Sequence, residues 1–225
     1  MSSSNWKTEV LAIFRKELTN ELRAKSGLTT AGLFGVVTVF TIGFASINSH
    51  LNGDIAAGLI WVAILFSAVI ALPRTFILEE EQGTADLLRL VARPHAVYWG
   101  KALFNLVQIT VMASVLSFLY FGFADLTVKV PWLYAMSLFG GCAALSGAVT
   151  LTGAIVARAA NRAALAGAVA VPSLLPIMAM GVSGMRVAFG VGFESGGQLW
   201  TMGLIGYAAL TLSLGPWLFA AIWKS

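Results

Sequence analysis

The stretch that decides the fold is GLIWVAILFSAVIALPRTFILEEEQGTADLLRLVARPHAVYWGK, from Gly58 to Lys101. Its first part belongs to an uncharged apolar run, Ile55–Pro73. A helix crosses the bilayer core with about 20 such residues, at about 1.5 Å of rise each. Charged residues then accumulate between Arg74 and Lys101, where the next apolar run begins. The pattern indicates a membrane-spanning helix followed by a short charged segment outside the membrane.

Five further uncharged runs have the same character. They are Gly27–Asn52, Ala102–Ala124, Val130–Ala157, Ala163–Met185 and Ser195–Trp223. The composition, 58% hydrophobic and 11% charged, departs strongly from that of soluble domains. The sequence therefore predicts an all-α polytopic membrane protein with six transmembrane helices.

We expect a single transmembrane domain over residues 1–225. Its predicted parts are an amphipathic interfacial helix at 5–25, a cytoplasmic segment at 79–95, and spans at 28–48, 55–77, 101–123, 131–156, 162–183 and 198–223.

The distribution of lysine and arginine predicts the orientation. Only Lys129 and Arg186 fall on one side of the predicted membrane. The other twelve are Lys7, Arg15, Lys16, Arg23, Lys25, Arg74, Arg89, Arg93, Lys101, Arg158, Arg162 and Lys224. Positive residues favour the cytoplasmic side, so both termini are expected in the cytoplasm.

The predicted spans contain almost no ionisable residue. Proton- and ion-coupled transporters usually carry carboxylates or histidines at membrane depth, so this absence counts against secondary active transport. The most polar set, suited to interhelical hydrogen bonds, is Asn105, Gln108, Thr110, Ser114 and Ser117. Cys142 stands mid-span and is interpreted as a packing residue.

Catalytic and metal-binding patterns are missing from the sequence. No Ser/His/Asp set or carboxylate pair is arranged for catalysis, so the chain is expected to be no enzyme. His50 and His95 fall on opposite sides of the predicted membrane and cannot ligate one iron. Gly100-Lys101 lacks the other residues of a phosphate-binding loop. We expect no metal, cofactor or ATP site in this chain.

The first helix is predicted from helical spacing. An apolar stripe among basic residues is typical of a helix at the membrane surface, and here it consists of Trp6, Val10, Ile13 or Phe14, Leu18 and Leu22. A plain basic anchor is the alternative.

The charged segment contains its own turn and helix signals. Thr84 is placed to cap a short helix, and Arg93-Pro94 to end it. Gly83 precedes Thr84, where a turn can require positive φ. The segment is compact enough for a soluble protein to hold.

The fifth span and the sequence after it contain breakers. Pro172 and Pro176 predict a kink or break. The glycine-rich stretch at 184–197 is either a re-entrant broken helix or a simple external loop.

Several motifs together resemble one family of ABC-2-type membrane subunits. They are Gly58-x-x-Trp61-Val62; Arg74-x-Phe76-x-x-Glu79; the Gly83-Thr84-x-Asp86 turn; Gly100-Lys101; and Arg15-Lys16-x-Leu18 with Glu21-x-Arg23. In this pattern the chain resembles the haem exporter protein B (CcmB) family of the cytochrome c maturation complex. The resemblance implies an ABC-2-type (type V exporter-like) permease fold.

The resemblance also implies a role and partners. A partner would hydrolyse ATP, and this chain would couple hydrolysis to release of a haem-loaded chaperone, with haem as possible cargo. The implied ATPase-coupling residues are Arg74, Phe76, Glu79, Gly83, Thr84, Asp86, Arg15 and Glu21. The implied partners are a CcmA-like ABC ATPase, CcmC-like, CcmD-like and CcmE-like haem-handling subunits, and a possible second copy of the chain. The implied location is a bacterial or organellar inner (cytoplasmic) membrane.

Two other functions fit the same pattern. One is a generic ABC-2 exporter subunit for a lipid, glycan or drug. The other is a membrane assembly scaffold that transports nothing, which the apolar interior favours modestly.

Overall fold

The computed structural model describes residues 5–24, 26–46, 51–71, 74–124, 126–159 and 161–224. Within these ranges a few side chains, that of Arg74 among them, are not described. The described ranges are helical and contain no strand. The helices are α1 (Trp6–Ala24), α2 (Ser26–Ser46), α3 (Gly53–Ala71), α4 (Arg74–Glu81), α5 (Ala85–Val91), α6 (Pro94–Ala124), α7 (Pro131–Ala157), α8 (Arg162–Ala188) and α9 (Glu194–Lys224).

Six of the described helical stretches are long and apolar enough to cross a membrane. They are α2, α3 with α4, and α6 to α9. The prediction of an all-α polytopic protein with six spans is confirmed. The helix of the third span already begins at Pro94, because proline is well suited to the first helical position, where its missing N–H costs nothing. Gly100 and Lys101 therefore lie inside α6.

α7 forms the centre of the bundle. It packs on α9, α8, α6 and α4, and 72% of its membrane-spanning window is buried, against 28% for α8 and α9. Small residues allow this close packing: a Cβ atom on Gly147 would lie 2.9 Å from the Cβ of Thr211 on α9. Cys142 is buried in α7, as expected of a packing residue.

Trp61 of α3 fills a slot between α7 and α8. Its side chain is fully buried. The slot exists because Gly141 of α7 and Gly181 of α8 have no side chain: a Cβ atom at either position would overlap the indole ring. The three helices therefore meet around one aromatic ring.

α8 is continuous through both prolines. Pro172 and Pro176 lie inside the helix, so the predicted break does not occur. Only residues 189–193 separate α8 from α9, so the glycine-rich stretch forms no separate re-entrant helix. Gly190 and Gly192 make this sharp turn with φ of 89° and 96°, values that glycine adopts without strain.

Candidate functional site

α1 crosses α6 closely at one end of the bundle, which we call the basic end because most lysines and arginines of the sequence stand there. A Cβ atom on Gly100 of α6 would lie 2.7 Å from the Cβ of Ile13, so the glycine permits the crossing. The buried residues of α1 are Val10, Ile13 and Glu17. Trp6 and Leu22 of the predicted apolar stripe are exposed, and the location of α1 at the membrane surface stays a prediction.

α4 and α5, residues 74–91, fold back across the same end, and we call them the α4–α5 segment. Phe76 points inward and packs on Phe219 of α9 with ring centroids 5.7 Å apart. Gly83 makes the turn between the helices with φ +66°, as predicted. Thr84 is the N-cap residue of α5, but its hydroxyl does not cap the helix. The hydroxyl lies instead 3.4 Å from the carbonyl oxygen of Glu79.

A group of four charged residues, all but Lys16 buried, joins these elements. We call it the ion cluster: Lys16, Glu17, Glu79 and Lys101. Lys101 of α6 is fully buried. Its Nζ lies 2.9 Å from Glu17 Oε1 of α1 and 3.0 Å from Glu79 Oε2 of α4. The same ammonium donates to the carbonyl oxygen of Thr75 at 2.9 Å, so each of its three protons has an acceptor.

Two further contacts complete the cluster. The Lys101 ammonium lies 4.5 Å from the centroid of the Phe76 ring, a cation–π geometry. Lys16 donates to Oε1 of Glu79, the carboxylate oxygen that Lys101 does not bind. The Lys16 Nζ also lies 3.4 Å from Glu17 Oε1. Burial lowers the pKa of Lys16. Its interactions with Glu17 and Glu79 together raise the pKa by more than burial lowers it, so the pKa lies above its usual 10.5. Two lysines and two glutamates thus balance each other's charge.

A cleft of about 790 Å³ opens beside the ion cluster. Residues of α1, including Lys16 and Glu17, form one wall, and the α4–α5 segment forms the other. Phe104 and Gln108 of α6 also line the cleft, and Gln108 stands within the third span. The cleft therefore connects the charged end of the bundle with the polar residues of that span.

One face of α5 is apolar and exposed, and Leu87 and Val91 of this face also line the cleft. Leu90 is 85% and Val91 76% exposed, and Leu87 lies beside them. On the other face, Arg89 binds Asp86 and Glu80 and lies over the Trp223 ring of α9 at 5.2 Å. A contiguous patch of exposed large apolar side chains is typical of surfaces that contact another protein or a membrane.

The structure separates the predicted coupling residues by position. Phe76 and Glu79 point inward, and Gly83 and Thr84 form the turn. Asp86 and Arg15 are exposed, and Glu21 lines the cleft. The side chain of Arg74 lies outside the described residues.

Sequence reasoning missed Glu17 as a site residue and used Lys101 only as part of a motif. A signal was present for Glu17. Val10, Ile13 and Glu17 repeat at helical spacing, so the glutamate continues the buried face of α1.

The described residues contain no group of three or more His, Cys, Asp or Glu that could hold a metal ion. His95 packs edge-on against Trp217 of α9 at 5.3 Å. His50 lies outside the described residues.

Fold and site together define a class of protein: a polytopic membrane protein with a short charged helical segment packed at one end of its bundle. The chain matches the model described as CcmB protein over residues 8–224, and it therefore belongs to the CcmB family. The resemblance found in the motifs is confirmed.

Two named relatives cover nearly the whole chain. Heme exporter protein B of Haemophilus influenzae is 26% identical over 94% of this chain and 95% of its own length. Heme exporter protein B of Bradyrhizobium diazoefficiens is 25% identical over 95% of this chain and 96% of its own length.

Proposed function

We propose that this chain is the membrane subunit of an ABC-type haem exporter that serves cytochrome c biogenesis. ATP is hydrolysed on a separate CcmA-like subunit that docks on the α4–α5 segment. Docking and hydrolysis move the bundle, and the movement releases a haem-loaded chaperone. Both termini and the basic end lie on the cytoplasmic side of the inner membrane. CcmC-like and CcmD-like subunits complete the assembly.

Family membership and the names of the two relatives support the haem context. The alignments cover at least 94% of this chain and at least 95% of each relative. The distribution of lysine and arginine supports the orientation.

The exposed face of α5 carries the proposal of a docked ATPase. Leu87, Leu90 and Val91 are exposed next to Asp86 and Arg89. A water-exposed apolar face of this kind is unfavourable in an isolated chain. A soluble partner that covers this face removes the unfavourable contact with water. The same partner would also contact the turn at Gly83.

The experiment is purification of the tagged chain from membranes, with identification of its partners and an ATPase assay. We expect an ATPase subunit and haem-handling subunits. An ATPase recovered without haem-handling subunits would favour a generic ABC-2 exporter. Recovery of haem-handling subunits without any ATPase would favour the scaffold.

A pair of matched variants tests the docking face. Leu90→Glu should lower ATPase recovery by at least about tenfold, because a carboxylate in an apolar contact loses its hydration. Phe193→Glu is the control: this phenylalanine is 86% exposed in the turn between α8 and α9, at the other end of the bundle. Equal ATPase recovery by both variants would place the docking surface elsewhere.

A further inference from the structure

The ion cluster is the most deeply buried charged feature of the described residues. Lys101 stands on α6, Glu17 on α1 and Glu79 on α4, and the cluster is sealed on one side by the Phe76 ring. Glu17 and Lys101 are 84 positions apart in the sequence. One lysine at the start of the predicted third span therefore joins α6 to both α1 and α4.

Few other contacts connect α1 with α4. α1 packs mainly on α6, whereas α4 packs mainly on α7. Lys16 of α1 also reaches Glu79 of α4. The ion cluster is therefore the principal described link between the interfacial helix and the α4–α5 segment.

Stability alone does not explain charged residues at this position. Burying a lysine and two carboxylates carries a large loss of hydration, and well-packed apolar residues of similar volume often stabilise a protein equally well. Apolar side chains can slide against each other, whereas three directed hydrogen bonds from one ammonium hold α1, α4 and α6 in one relative arrangement.

We propose that Lys101 is a positioning residue that locks α1 and α4 to α6 through Glu17 and Glu79, so that a displacement of the α4–α5 segment moves α1 and the third span with it. This proposal rests on the proposed function for the source of the displacement. The lock itself is a property of the chain alone.

The chain alone provides the first test. Amide hydrogen exchange reports the opening of each helix, and locked helices open as one unit. In the wild-type protein, amides of residues 6–24 and 74–81 should show opening equilibria that agree within about threefold. In Glu17→Met/Glu79→Met/Lys101→Met the two helices should differ by at least about tenfold, because the directed bonds are gone.

A matched control breaks a different link of α1. Glu9 lies 3.6 Å from Arg93, a mostly exposed arginine between α5 and α6. Glu9→Gln should leave the joint opening of α1 and α4 as in the wild type. Joint opening in the folded triple-methionine variant would overturn the proposal, as would loss of joint opening in the control alone.

A second pair of variants applies where the triple variant yields no folded protein. Glu17→Gln should weaken the joint opening, because a neutral amide replaces one carboxylate partner of Lys101. Lys101→Arg should keep it, because a guanidinium can still donate to both carboxylates and to the carbonyl oxygen of Thr75. Equal joint opening in both variants would overturn the proposal.

The complete complex separates the lock from docking. The folded Glu17→Met variant, which leaves the α4–α5 segment unchanged, should bind the ATPase as the wild type does, while cytochrome c maturation falls at least about tenfold. Normal maturation by this variant would overturn the lock. Absence of ATPase binding to the wild-type chain would overturn the proposed function and leave the exchange result on the chain alone to stand.

Discussion

The two ends of the bundle each contain an ion pair between helices, in opposite environments. At the basic end, the side chains of Lys101 and Glu17 are 0% and 6% exposed. At the other end, Arg186 lies 3.2 Å from Asp54, and these side chains are 46% and 43% exposed. An exposed pair keeps most of its hydration, whereas a buried charge depends on its partners. Two ion pairs of similar length can therefore differ greatly in what their loss costs.

Removal of the buried cation should give the largest effect and test the comparison most directly. Lys101→Met leaves Glu17 and Glu79 buried with only Lys16 near them. Breaking a buried pair in this way costs about 3–5 kcal/mol. Unfolding in a denaturing detergent, followed by circular dichroism, should show this loss. A cost below about 1 kcal/mol would mean that water reaches the cluster and that the two ends do not differ.

The close crossing of α1 and α6 predicts the next effect. Gly100→Ala places a Cβ atom 2.7 Å from Ile13, and overpacking of this kind costs about 1–3 kcal/mol. Gly206→Ala is the matched control, since a Cβ atom there meets nothing within 4 Å. It should be neutral or stabilising by up to about 1 kcal/mol, because alanine favours helix. The same unfolding assay distinguishes the two, and equal behaviour would contradict the tight crossing.

Substitutions at Gly83 should be limited by the backbone conformation of the turn and not by steric contact with neighbouring residues. A Cβ atom there meets nothing within 4 Å, but φ is +66°. Gly83→Val should cost about 1–2 kcal/mol locally and weaken ATPase recovery. Gly83→Asn should keep recovery near the wild-type value, because asparagine tolerates this conformation. Comparison of the two variants in the same pull-down provides the measurement. Equal loss in both would point to a steric contact with the partner.

The exposed pair at the other end should respond weakly. Asp54→Asn removes the partner of Arg186 and should cost about 0.2–1 kcal/mol. Thermal unfolding at low and high salt checks it, since salt should remove the difference between variant and wild type. A salt-independent loss as large as that of Lys101→Met would abolish the contrast between the ends.

Lys16, which is 39% exposed, should give the smallest effect. Its pKa lies above 10.5 in the folded protein, so the folded state holds the proton more tightly than the unfolded one. The resulting stabilisation is complete below about pH 10.5 and is lost as the pH rises through the folded pKa. Lys16→Arg keeps its charge throughout. The difference in melting temperature between wild type and variant should therefore change only at alkaline pH.

The two ends also differ in how far the sequence predicted them. The spans follow from long uncharged runs, because each backbone polar group in a bilayer must be satisfied within its own helix. The turn at Gly83 and the helix start after Thr84 are local signals, and the structure has both. The prediction that the Thr84 side chain caps α5 was wrong, because its hydroxyl makes no hydrogen bond to the first turn of the helix.

The ion cluster could not be predicted in the same way. A charged residue on a surface helix is ordinarily assigned to water, and nothing near Glu17 in the sequence indicates Lys101. Their contact depends on the crossing of α1 over α6 at Gly100, which is a property of the folded bundle. For the same reason the motif residues were recognised as a group, but their division into inward and exposed positions was not.

The ring of Trp61 has a consequence for the evolution of this family. Gly141 and Gly181 are compatible with the bundle only as long as the indole occupies the space between them, and the indole fits only as long as both remain glycine. The three positions form one volume shared by three helices. Relatives that have lost the tryptophan should carry larger residues at one or both glycine positions, so these sites are expected to change together along the family tree.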